Sequence, residues 1–102
     1  MLLLINKTSQ YLFKEKDMNF PFFRGLANQQ VFYQINSEIE FIELKITGNY
    51  YSINSYHAAQ YPEKLKIREM ILNLDNSLIE IDQFDFNRIK FECEQEKKLI
   101  AF

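Results

Sequence analysis

The chain has 102 residues, 47% of them hydrophobic and 16% aromatic, and its 12 basic and 14 acidic side chains leave a net charge of -2. That length sets one domain, residues 1–102, which can bury a core without metal or disulfide staples. The near balance of charge argues against a nucleic-acid binder, which carries a basic patch and a high pI.

Residues 1–5 are an apolar run too short for a membrane helix and without the basic stretch of a signal peptide. They are expected to form a first strand. A cytoplasmic location follows, because the lone cysteine, Cys93, cannot form an internal disulfide and small secreted domains usually carry several. Residues 17–30 hold Phe20-Pro21-Phe22-Phe23 and Gly25 and read as a long loop or a lone extended segment. Over residues 38–47, Ile39 and Phe41, then Ile42, Leu44 and Ile46, alternate with Glu38, Glu40, Glu43 and Lys45. Period two is the mark of a half-buried strand. The phase slips between Phe41 and Ile42, as a β-bulge would produce. Gly48-Asn49 predicts a two-residue hairpin turn with positive φ, and residues 50–56 the returning strand.

Residues 56–74 carry two patterns at once. Leu65 and Ile67 alternate with Lys64, Lys66 and Arg68 as in a strand, yet Pro62 can open a helix that sets Ile67 with Ile71 and Met70 with Leu74 at i, i+4 spacing. The alternation favours a strand over 65–74, preceded by one short helix near 55–62. Ile79 and Ile81 then alternate with Glu80 and Asp82, and Ile89, Phe91 and Cys93 alternate with Arg88, Lys90, Glu92 and Glu94, which predicts two further strands. Residues 99–102 close one edge. Eight or nine short strands make a mainly β fold, or α+β with few helices: an antiparallel meander forming a curved sheet, a sandwich or a small barrel.

His57 is the only imidazole, so metal sites built on His clusters are excluded, and His57 with Cys93 is the one dyad open to the chain. In phase with Ile89 and Phe91, Cys93 reads as an inert core thiol. No phosphate loop, G-x-S-x-G elbow or C-x-x-C pair is present, and no cofactor, metal or catalytic residue is expected. Between residues 75 and 96, seven acids face only Arg88 and Lys90. If the last two long strands pair, Glu80, Asp82, Glu92 and Glu94 form an acidic docking face; Tyr50, Tyr51, Tyr56 and Tyr61 are the aromatic anchors beside it.

In size, acidity and composition the chain looks like the small immunity proteins that bacteria co-produce with toxins. The expected function is therefore a cytosolic protein-binding inhibitor that covers the active site of a basic toxin, such as a nuclease, and is not itself an enzyme. The alternative is a β-barrel or sandwich binding a small apolar ligand near Phe20, Phe22, Phe23, Phe32 and Tyr33. A homodimer joined through residues 99–102 is a third option.

Overall fold

Four consecutive strands, β1 (Phe22–Leu26), β2 (Val31–Ser37), β3 (Glu40–Thr47) and β4 (Tyr50–His57), form an antiparallel meander in the computed structural model, which describes residues 19–100. Then follow α1 (Tyr61–Leu72), β5 (Leu78–Glu80), α2 (Gln83–Glu96) and β6 (Lys98–Leu99). The strand order β5-β1-β2-β3-β4-β6 makes one mixed sheet, antiparallel except where β6 runs parallel to β4. The fold is thus the α+β form of the expected class. Among the described residues the sheet ends at β5 and β6, and it neither closes into a barrel nor doubles into a sandwich.

The two helices cover opposite faces. Along β3, Phe41, Glu43 and Lys45 point to one side and Ile42, Leu44 and Ile46 to the other, as pleating requires. Ile67, Met70 and Ile71 of α1 join Ile35, Phe22, Tyr33 and Phe41 in one cluster. Phe86, Ile89 and Cys93 of α2 join Phe23, Phe32, Leu44, Ile46 and Tyr51 in the other. The first cluster lies toward the Ser37–Glu40 end of the strands and the second toward the Gly48 turn. This division explains the slip of phase in β3. No bulge lies between Phe41 and Ile42, since β3 and β4 pair without interruption, and the register shift sits in β2 between Ile35 and Ser37. The strand simply passes from the zone covered by α1 to the zone covered by α2.

Where a strand was expected over 65–74 and a short helix near 55–62, β4 runs on to His57 and α1 spans Tyr61–Leu72. Local chemistry decides this. The Glu63 carboxylate accepts the backbone N–H groups of Ala59 (2.8 Å) and Gln60 (3.1 Å), satisfying donors at the helix start, and Pro62 lies in the first turn. At the other end Asn73 turns left-handed at φ 49°, and its side-chain amide exchanges two hydrogen bonds with the Leu78 backbone. The strand expected around Ile89–Cys93 is also helical. Phe86, Ile89 and Cys93, at i, i+3 and i+7, share one side of α2 and face the sheet, while Phe91 is exposed. Asp82 caps α2 by accepting the Asp85 N–H at 2.7 Å.

The long loop or lone extended segment expected over 17–30 contains β1, which is extended but not alone, since it pairs with β2 and β5. Its Arg24 is buried, donates to the carbonyls of Met70 (3.1 Å) and Ile71 (2.8 Å), and so supplies the positive charge that the last turn of α1 lacks. The hairpin turn at Gly48-Asn49 is present, with Thr47 opposite Tyr50 and Gly48 at φ +61°. Lys98 and Leu99 do form an edge strand. The expected first strand over 1–5 and the last residues, 101–102, lie outside the described residues.

A tyrosine and glutamate face as candidate functional site

α1 crosses only part of its face of the sheet and leaves a strip of side chains open beside it. Once the Gly48-Asn49 turn fixes the register, Phe41 stands opposite Ile35 and Tyr56, and Glu43 stands opposite Tyr33 and Asn54. Side chains in such cross-strand rows touch. Phe41 and Tyr56 stack with ring centroids 4.9 Å apart and planes at 19°, and Tyr33 and Phe41 pack edge to face with centroids 5.8 Å apart. The Tyr56 hydroxyl donates to Glu43 Oε1 at 3.3 Å. Partial burial first, and the Glu43 carboxylate second, push the Tyr33 and Tyr56 phenols above their ordinary value. Both remain neutral hydrogen-bond donors through the physiological range. Among the described residues no cation lies within 4.0 Å of Glu43.

Between this strip and α1 runs a groove. One cavity of about 210 Å³ is lined by Phe41 and Tyr56 together with His57, Glu63, Lys66 and Ile67. A wider one of about 500 Å³ continues past Lys66 along Tyr33, Met70 and Leu78. The groove therefore joins aromatic surface, carboxylates and one exposed lysine, a set suited to holding a side chain by stacking and charge.

The acids expected to form one docking face are dispersed. Glu80 is on edge strand β5 opposite Arg24, and Asp82 is spent on capping α2. Glu92 is held by Arg88 at 3.3 Å, and Glu94, two residues on, points about 200° away around the helix. The face predicted from pairing two strands fails because one of them is α2. Of the tyrosines, Tyr51 is in the core at 7% exposure, so it is no anchor; Tyr50, Tyr56 and Tyr61 are exposed at 49%, 43% and 66%. Tyr50 and Tyr56 share the α1 side of β4, and Tyr61 is the first residue of α1.

Cys93 is buried in the α2 cluster, where loss of water pushes its thiol up. His57 lines the groove at α1, so the structure does not bring the dyad together. Lys64, Lys66 and Arg68 are on α1 rather than a strand, and Arg68 binds Glu38 of the β2–β3 turn at 3.0 Å. The rings expected at a barrel mouth divide between the two cores, Phe23 and Phe32 in one and Phe20, Phe22 and Tyr33 in the other. Among the described residues, no three His, Cys, Asp or Glu side chains are grouped to hold a metal ion, and no helix is long and apolar enough to cross a membrane.

Sequence reasoning missed Phe41, Glu43 and Glu63 as site residues and offered Tyr33 only for an apolar-ligand pocket, not for a place beside Glu43. Counting back from the Gly48-Asn49 turn would have paired Glu43 with Asn54 and Phe41 with Tyr56. Comparison with family models, curated proteins and solved structures gave no match to this chain.

Proposed function

We propose that the chain is a non-catalytic protein-binding inhibitor that docks a basic partner on the α1 side of its sheet, with Tyr33, Glu43, Tyr50 and Tyr56 at the contact. The observation that carries this reading is the half-buried Glu43 carboxylate, set between two tyrosines without a cation of its own among the described residues. A partner's cation would complete the arrangement. The tyrosines would supply contact area at low entropic cost, and the overall acidity would speed encounter with a basic surface. The finer reading is an immunity-type protein of the bacterial cytoplasm that neutralises a basic toxin, such as a nuclease, by covering its active site. Small size and net negative charge support it.

The test is capture from the source cell's lysate with wild-type protein and with a Tyr56→Ala, Glu43→Lys double variant, at low and high salt. The expected result is one basic protein retained by wild type at low salt and lost both at high salt and with the variant. Equal retention by the variant would move the docking site off this face.

A further inference from the structure

The small cavity lined by Phe41 and Tyr56 has a chemistry more specific than a general docking face. Its lining includes a pair of stacked rings 4.9 Å apart, of which Tyr56 is the exposed one. At its rim Glu63 is held in place because one carboxylate oxygen, Oε1, accepts two backbone N–H groups, from Ala59 and Gln60. These bonds also keep that carboxylate below its usual range and hence ionised. Glu43 lies just beyond the Tyr56 hydroxyl. Neither Glu43 nor Glu63 makes an ion pair within 4.0 Å among the described residues. Lys66 and His57 are the basic side chains on the rim, and both are exposed.

We propose that this cavity receives a single arginine side chain from the partner, its guanidinium lying against the outer face of Tyr56, the exposed ring of the Phe41–Tyr56 stack, and bonded to the flanking carboxylates. The proposal rests on the docking reading above and names the group that the face recognises. A guanidinium is planar and weakly hydrated, stacks on aromatic faces, and presents forked donors to carboxylate oxygens. An ammonium satisfies the charge but not the stack. A cavity of about 210 Å³ has room for one long side chain and not for a folded segment.

The probe is a blocked Gly-Arg-Gly peptide titrated into the full chain and followed by amide shifts in two-dimensional NMR, beside the same peptide carrying citrulline, the neutral isostere of arginine, or lysine. Saturable shifts at Phe41, Tyr56, His57 and Ile67 are expected with arginine, weaker ones with lysine and none with citrulline. Glu63→Gln retains a side chain that can cap α1 and should weaken binding about two- to fivefold, as should Glu43→Gln. Lys66→Gln should tighten it, a direction that damage to the fold would not produce. No shift at these residues, or an equal response to citrulline, overturns the arginine site. If that happens while lysate capture still depends on Tyr56 and Glu43, the docking face stands and only its arginine specificity falls.

Discussion

Gly25 shows how a single atom can be excluded by a neighbour. It lies on the α2 side of β1 opposite Phe32, and a Cβ placed there would come 2.9 Å from the Phe32 ring. Gly25→Ala should therefore cost about 1–3 kcal/mol through overpacking, measured by chemical denaturation, and a smaller side chain in Phe32→Leu should recover part of the loss. Cys93 sets a limit of another kind. Burial raises its thiol, so the folded state holds that proton to higher pH than the unfolded chain. Its contribution to stability is whole below the unfolded value of about 8.5 and falls as pH rises through the folded one. Denaturation from pH 7 to 9.5 should show this decline, and Cys93→Val should flatten it. The burial of Cys93 was legible in the sequence because Ile89 and Cys93, four apart, are in phase under either period. The role of Arg24 was not, since its partners are carbonyls 46 and 47 residues away.

At the scale of elements, the meander was legible, α1 only as the weaker of two patterns, and α2 not at all. Gly48-Asn49 and the β3 alternation place two strands and their register from local chemistry alone. In α1 the residues Lys64, Lys66 and Arg68 alternate with Leu65 and Ile67 over a stretch too short to separate period two from 3.6, yet Leu65 is exposed and Ile67 fully buried. The stronger signal was at the helix start, where Gln60 and Glu63 stand at capping-box spacing around Pro62. In α2 the acids suggested an outward stripe, but Asp82 works as a cap. Asp82→Ala should lower stability by about 1 kcal/mol, whereas Asp82→Asn, which caps as well, should leave it nearly unchanged. Thermal unfolding of the two variants separates the cap from the charge. Equal losses would assign the effect to charge instead.

Across the whole molecule, one sheet separates two cores, and each helix leaves different chemistry uncovered. The α1 side offers Tyr33, Glu43 and Tyr56 beside a groove. On α2, Phe84 and Phe91 are 72% and 58% exposed and lie seven residues apart on the outward side. That second surface is the rival for a partner, with two phenyl rings on either side of the ion-paired Arg88 where the first has tyrosines beside a carboxylate unpaired among the described residues. The sequence located neither correctly, because both depend on which face each helix covers, a choice made by contacts between distant residues. The measurement that separates them most directly is photo-crosslinking in the source cells, with benzoylphenylalanine placed at Tyr56 or at Phe84. A covalent adduct to one basic protein from position 56 and none from position 84 is the predicted result; an adduct from position 84 alone would contradict the assignment of the docking face.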